Sequence, residues 1–123
     1  MKALVVDDSR ATRMIVARQL SILGFATVQA ANGREALAAV AASGPFDVAL
    51  VDWNMPIMNG LELVREIRKN RALDEMAIMM VTTESEQSQV LAALEAGASE
   101  YLMKPFSPES IEEKLAILGI AAI

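Results

Sequence analysis

The chain contains no cysteine and no histidine. The absence of cysteine excludes disulfide bonds, a thiol nucleophile and a zinc site built from thiolates. The absence of histidine removes the commonest general base and the commonest transition-metal ligand, and the chain cannot itself carry a phosphohistidine. Any chemistry that this chain performs must therefore use carboxylates, hydroxyls and Lys104, with or without a hard metal ion.

Basic residues are in the minority. The chain has 11 Lys and Arg residues against 16 Asp and Glu residues, which gives a net charge of −5 at pH 7. This balance argues against direct binding of nucleic acid, because phosphate backbones are bound by basic patches. No apolar run is long enough to span a membrane, and the chain does not begin with the pattern of a signal peptide. We therefore expect a cytoplasmic protein without membrane insertion.

The apolar residues form a regular pattern. Hydrophobic residues make up 54% of the 123-residue chain, so residues 1–123 can form one domain with a sizeable core. Short runs rich in Val and Leu predict strands at 3–6, 26–30, 48–51, 78–81 and 100–103. Apolar residues at helical spacing predict helices at 9–23, 34–42, 60–70, 86–96 and 108–118. Strict alternation predicts an α/β fold, with helices on both faces of a parallel sheet.

Charged residues directly follow three of the predicted strands. Asp7 and Asp8 follow the first strand, Asp52 follows the third and Lys104 follows the fifth. Because ligands bind outside the carboxyl ends of the strands in an open parallel sheet, we expect these side chains to converge. An aspartate here could instead cap a helix, but one carboxylate suffices for a cap, and clustered carboxylates repel one another unless a cation joins them. The pattern favours a cation site with a phosphate site beside it.

The donor types favour Mg²⁺, which prefers hard oxygen ligands and retains several waters. Asp8 and Asp52 are the expected direct ligands, while Asp7 orients a metal-bound water and Asn54 offers its backbone carbonyl. Asp52 is also a candidate nucleophile, because carboxylates can form an aspartyl phosphate. The alternative is that Asp52 is only a turn residue at a strand end.

Two further residues could bind a phosphoryl group. Thr82, at the end of the fourth strand, offers a hydroxyl donor, and Lys104 offers a positive charge. Thr is common in strands, so Thr82 alone is a weak signal. Pro105 follows Lys104, and this pair is compatible with a cis peptide bond. Tyr101, in the fifth strand, is either a core aromatic or a residue coupled to Lys104 along that strand.

Together these residues resemble the receiver domain of bacterial two-component response regulators, above all the CheY-like single-domain chemotaxis regulators. The resemblance covers the whole chain and depends on Thr82 and on the stretches VVDDS at 5–9, DWNMP at 52–56 and KPF at 104–106. It implies a flavodoxin-like (βα)5 fold, with a doubly wound five-stranded parallel sheet in the order 2-1-3-4-5. That strand order comes from the family and not from the residue pattern.

The resemblance also implies a mechanism. A histidine kinase presents a phosphoryl group, and the receiver catalyses its transfer to Asp52 with Mg²⁺, so the protein is primarily a signalling switch that catalyses its own phosphorylation and dephosphorylation. Thr82 and Lys104 then contact the phosphoryl group, and Tyr101 rotates inward. The rotation changes the face made by the fourth helix, the fifth strand and the fifth helix, which binds an output protein.

The resemblance extends to the lifetime of the phosphoryl group and to the output partner. In this family, the lifetime is tuned two positions after the phosphorylated aspartate and two positions after the switch threonine. Here these positions hold Asn54 and Glu84, which are polar and not bulky, so a short lifetime is implied. Chemotaxis regulators that bind the flagellar switch often carry a lysine early in the fourth helix. This chain has SEQS at 85–88 there, without a base, so the flagellar motor is not predicted as the partner.

Other functions use similar residues. Within the receiver family, the alternatives are a phosphorelay shuttle and a receiver cut from a longer regulator. A haloacid-dehalogenase-like phosphatase also uses a strand-end aspartate with Mg²⁺, but it needs a second aspartate two residues on, where this chain has Asn54. A flavodoxin-like electron carrier needs a phosphate loop rich in hydroxyls and glycine after the first strand, where this chain has DDSR at 7–10.

Overall fold

Strands and helices alternate along residues 1–120, which the computed structural model describes apart from the side chains of residues 84, 85 and 87. The elements are β1 (Lys2–Val6), α1 (Arg10–Ile22), β2 (Ala26–Ala30), α2 (Gly33–Ser43), β3 (Val48–Asp52), α3 (Gly60–Arg68), β4 (Ala77–Thr82), α4 (Val90–Ala96), β5 (Glu100–Met103) and α5 (Pro108–Ile117). Short 3-10 turns at Arg71–Leu73 and Glu84–Gln89 precede β4 and α4. The predicted positions of these strands and helices are confirmed to within a few residues, except at the start of α4.

The strands form one parallel sheet in the order β2-β1-β3-β4-β5, which confirms the order that the resemblance implied. The register aligns the strand ends that matter for a site. Asp52 pairs with Val81 of β4, and Thr82 pairs with Met103 of β5. The last residues of these strands therefore lie along one edge of the sheet, as the parallel arrangement requires.

Each face of the sheet carries its own hydrophobic core. In β3, Val48 and Leu50 join the cluster beneath α1 and α5, whereas Ala49 and Val51 join the cluster beneath α2, α3 and α4. All residues of β3 are buried, because side chains of a central strand alternate between two covered faces. None of the helices in the described part of the chain is both long enough and apolar enough to cross a membrane.

The helix ends follow the local sequence. Ser9 and Ser107 cap α1 and α5, and their hydroxyls accept the backbone N–H groups of Thr12 at 3.3 Å and Ser110 at 3.2 Å. Gly97 ends α4 in the left-handed conformation, with φ at 119°. The Lys104–Pro105 peptide bond is cis.

The start of the fourth helix differs from the prediction. A helix was expected from residue 86, but residues Glu84–Gln89 form a 3-10 turn and the α-helix begins only at Val90. Residues 84–89 are all polar, so this stretch has no apolar face that would pack against the sheet as a helix. Gln89 stands at the N-cap of α4 without a capping hydrogen bond from its side chain, so an α-helical start is not stabilised further upstream.

Ile57 lies in the loop between β3 and α3 with φ at 71°, a backbone conformation that branched residues rarely adopt. Its side chain is 70% exposed, so little packing offsets this conformation. We predict that Ile57→Asn raises the free energy of unfolding by about 1 kcal/mol, because asparagine tolerates the left-handed region. Urea unfolding measures the change.

Ile57→Val is the matched control, because it keeps the branched Cβ and should give no gain. An unfolding midpoint for Ile57→Asn that equals or falls below that of the wild type would contradict the assignment of strain to this residue.

Candidate functional site

Three aspartates meet at the carboxyl edge of the sheet. Asp7 follows β1, Asp8 follows Asp7, and Asp52 is the last residue of β3. One carboxylate oxygen from each lies within 4.8 Å of the others. Asp7 and Asp52 are buried, with 4% and 8% of their surface exposed, whereas Asp8 is exposed. The structure thus brings together the aspartates that the sequence placed at a cation site.

The local structure leaves these carboxylates facing one another. The N-cap of α1 is Ser9, so capping is not the role of the two preceding aspartates. Asp7 is held from both ends: its Oδ1 accepts the Ser9 N–H at 2.8 Å, and its carbonyl accepts Nη1 of Arg13 at 2.7 Å. The second oxygen, Oδ2, points toward Lys104, whose Nζ is 3.7 Å away.

Lys104 joins two of the carboxylates. Its Nζ lies 3.3 Å from Oδ1 of Asp52 as well as 3.7 Å from Asp7. Burial, together with the charge of Asp7, nevertheless raises the pKa of Asp52 from 3.8 to about 6, and Lys104 offsets only part of the rise. One lysine therefore does not balance the negative charge gathered here.

The donor set fits Mg²⁺. It consists of carboxylate oxygens only, and it includes one exposed member, Asp8, through which water can complete an octahedral shell. A divalent cation also supplies the positive charge that Lys104 alone does not. The part of the Asn54 backbone carbonyl in the site stays a prediction.

The loop after Asp52 is held tightly against α3. The backbone N–H of Gly60 donates to the carbonyl of Trp53 at 2.9 Å, and Asn59 with Glu62 forms a reciprocal cap at the start of α3. A Cβ on Gly60 would lie 2.5 Å from the carbonyl oxygen of Asp52, so only glycine allows this approach. Trp53, the residue after Asp52, is itself buried in the core cluster.

Asn54 is connected to the far side of the site by Glu86, a residue that the sequence analysis did not select. The exposed Asn54 donates through Nδ2 to Oε2 of Glu86. The other oxygen, Oε1, accepts the backbone N–H of Thr83 at 2.9 Å. The T-x-x-E pattern at 83–86 is the sequence signal that could have found this contact, because in such a box the glutamate accepts the N–H of the first residue.

Thr82 and Lys104 are joined through the backbone. The N–H of Lys104 donates to the carbonyl of Thr82 at 2.7 Å. The Thr82 side chain is fully buried, and its Oγ1 has no hydrogen-bond partner in the described part of the protein. A buried hydroxyl without a partner is costly, and this one stands at the sheet edge beside Asp52. The observation supports a hydrogen-bonding role toward a group that binds there.

Tyr101 is half-buried and packs beside α5. The Nζ of Lys114 lies 4.3 Å from the centre of its ring, a cation–π distance. Glu100 holds this lysine at 3.3 Å, and the same carboxylate oxygen accepts the backbone N–H of Tyr101 at 2.9 Å. The sequence analysis missed both charged neighbours.

The side chain of Glu84, the other residue expected to tune the phosphoryl lifetime, lies outside the described residues, so its role stays a prediction.

Comparison with known proteins gives consistent matches. A family model for the response regulator receiver domain matches residues 3–116. The chain is 44% identical over 119 residues to the chemotaxis protein CheY1 of Helicobacter pylori, which covers 96% of each protein. It is 45% identical over 121 residues to the chemotaxis protein CheY homolog of Campylobacter jejuni, covering 97% of this chain and 93% of that one. The structure of Vibrio cholerae CheY4 matches with a TM-score of 0.87 and 38% identity, over 95% of this chain and 97% of that one.

The raised pKa of Asp52 predicts how the stability of the metal-free protein depends on pH. The folded state binds a proton near pH 6 and the unfolded state only near 3.8, so the free energy of unfolding falls as the pH rises through this window. We expect Asp52→Asn to remove this loss, of order 3 kcal/mol, and to raise the melting temperature at neutral pH. Thermal unfolding in a chelator, repeated at several pH values, measures it.

Glu113→Gln, on the exposed side of α5, is the control because it removes one negative charge far from the cluster. If Asp52→Asn and the wild type lose stability in parallel between pH 4 and 7, the carboxylate of Asp52 does not carry the effect.

Proposed function

The chain belongs to the response regulator receiver family and is a two-component response regulator, and we propose that Asp52 is the residue that accepts the phosphoryl group. The observation that carries this proposal is the position of its carboxylate. It ends the central strand, is 8% exposed, and lies beside two other carboxylates and 3.3 Å from a lysine. The family assignment leaves the phosphatase and the electron carrier without support.

The transfer itself needs little covalent chemistry from the chain. A carboxylate oxygen of Asp52 attacks phosphorus, the bond between phosphorus and the donor's imidazole nitrogen breaks, and that nitrogen regains a proton from water. With a pKa of about 6, Asp52 is mainly ionised at neutral pH even before a cation binds, as a nucleophilic carboxylate must be. Lys104, already within 3.3 Å, is placed to contact a phosphoryl oxygen once its ion pair with Asp52 is lost.

Receiver domains typically use Mg²⁺ at an acidic pocket, and the residues of this chain that would hold it are Asp8 and Asp52, with Asp7 orienting a bound water and the carbonyl of Asn54 as a further ligand. When bound, Mg²⁺ supplies charge neutralisation for the transferring phosphoryl oxygens. The exposure of Asp8 supports this assignment, because the ion and its waters need an open approach.

The response to phosphorylation begins at Thr82. Its unpaired hydroxyl gains an acceptor when a phosphoryl group is added to Asp52. Because its carbonyl already binds the N–H of Lys104, movement of Thr82 is passed to the end of β5. Tyr101 lies in the same strand, and its ring can occupy two positions, one of them against Lys114. Movement of β5 then changes the populations of these two positions.

The face made by α4, β5 and α5 is the proposed output surface. Leu91 of α4 and Ile117 of α5 are 66% and 68% exposed on these elements, which supports docking of a protein partner. The family implies a histidine kinase as phosphodonor and a downstream target. Because its relatives include chemotaxis proteins, we propose that this response regulator acts in a chemotaxis pathway. The flagellar motor is not proposed as its partner.

We predict that Asp52 takes a phosphoryl group from acetyl phosphate with Mg²⁺ and without a kinase, since the chain supplies the nucleophile and Lys104 itself. Intact-mass measurement should show one added phosphoryl group in the wild type and none in Asp52→Asn. Asp74→Asn, at an exposed aspartate outside the site, should be labelled like the wild type. Equal labelling of Asp52→Asn would place the nucleophile elsewhere.

A second prediction concerns the metal. Trp53 is buried next to Asp52, so Mg²⁺ binding should change its fluorescence. Asp8→Ala removes one proposed ligand and should weaken binding by about tenfold or more, which corresponds to about 1.4 kcal/mol. The titration is followed at constant ionic strength, with Asp74→Asn as the control. A dissociation constant for Asp8→Ala that matches the wild type would remove Asp8 from the ligand set.

A further inference from the structure

Glu86 links the two loops that border the phosphorylation site. Its partner Asn54 lies two residues beyond β3, and Thr83 lies one residue beyond β4. The two carboxylate oxygens make separate hydrogen bonds, Oε2 with the side-chain amide of Asn54 and Oε1 with the backbone N–H of Thr83. A single side chain therefore spans from the loop after β3 to the turn after β4.

This bridge passes beside the carboxylate of Asp52. β3 and β4 are neighbours in the sheet, and Asp52 pairs with Val81, the residue before Thr82. The carboxylate of Glu86 lies close enough to Asp52 for the two negative charges to repel each other. A doubly negative phosphoryl group arriving on Asp52 meets this additional repulsion.

We propose that Glu86 is a positioning residue that clips Asn54 across the site of the unphosphorylated protein, and that this clip must open before Asp52 is phosphorylated. The inference depends on the proposed function of Asp52 and deepens it. The clip favours the unphosphorylated state in two ways. It holds the two loops together through the Asn54 hydrogen bond, and it places a negative charge where the phosphoryl group adds more.

Glu86 also connects its hydrogen bond with Asn54 to the residue next to Thr82. Glu86 holds the backbone N–H of Thr83, the residue directly after Thr82, whose buried hydroxyl lacks a partner. When Thr82 moves toward a phosphoryl group, the turn that carries Glu86 has to move with it, because the backbone N–H of Glu86 also binds the carbonyl of Thr83 at 3.0 Å. Release of Asn54 and movement of Thr82 are therefore parts of one rearrangement.

The test measures the initial rate of phosphorylation of the wild type, Glu86→Ala and Glu86→Gln with acetyl phosphate and Mg²⁺, by intact mass. Glu86→Ala removes both hydrogen bonds and the charge. It should raise the initial rate roughly fivefold, which corresponds to the loss of the one hydrogen bond that holds Asn54. Glu86→Gln keeps an acceptor for the Thr83 N–H and loses the charge, and should raise it at least about twofold. Glu95→Gln, at an exposed position on α4, should leave the rate as in the wild type.

A double-mutant cycle separates a clip from a merely structural residue. Asn54→Ala should raise the initial rate in the wild-type background but have no further effect in Glu86→Ala, because the bridge is already absent there. Additive effects of the two substitutions would overturn the proposal, and so would a rate for both Glu86 variants equal to that of the wild type. If Glu86→Ala does not fold, the cycle is run with Glu86→Gln.

The outcome also separates this inference from the proposed function. A wild type that is not labelled at Asp52 contradicts the proposed function itself. A wild type that is labelled at Asp52, with Glu86 variants that behave like Glu95→Gln, contradicts only the role of Glu86.

Discussion

The repulsion between two buried carboxylates, Asp7 and Asp52, is the constraint on which the rest of the site depends. The register of β1 and β3 in a parallel sheet brings their ends to the same edge, and both side chains are almost excluded from solvent there. Burial and the charge of Asp7 make the ionised form of Asp52 costly. Lys104 lowers this cost only in part, so the site remains ready for a further positive charge.

Other elements hold the strained arrangement in place. Ser9 caps α1 and thereby leaves the aspartates before it free to face inward. Gly60 lets α3 begin against the backbone of Asp52, where any side chain would collide. The buried β3, packed on both faces, carries Asp52, the proposed nucleophile, on the least accessible strand of the sheet. Packing of the rest of the fold thus offsets the free energy of unfolding that is lost at the site, and functional sites commonly reduce stability in this way.

The sequence predicted those features that depend on the strands and on local caps. Runs of Val and Leu located the strands, and a parallel sheet necessarily brings Asp7, Asp52 and Lys104 to one edge. The hydrogen bond between Glu86 and Asn54 was not predictable in the same way, because it depends on a 3-10 turn where helical spacing predicted an α-helix. The half-buried ring of Tyr101 depends likewise on Lys114 and Glu100, which tertiary packing alone brings together.

The hydrogen bond between the Lys104 N–H and the Thr82 carbonyl has a consequence for how the domain responds as a whole. These two residues lie at neighbouring strand ends, and the side chain of each is proposed to contact the phosphoryl group on Asp52. Because a short main-chain bond of 2.7 Å couples them, neither can follow the phosphoryl group far without displacing the other. The two strand ends therefore move together, which favours an all-or-none response over a graded one.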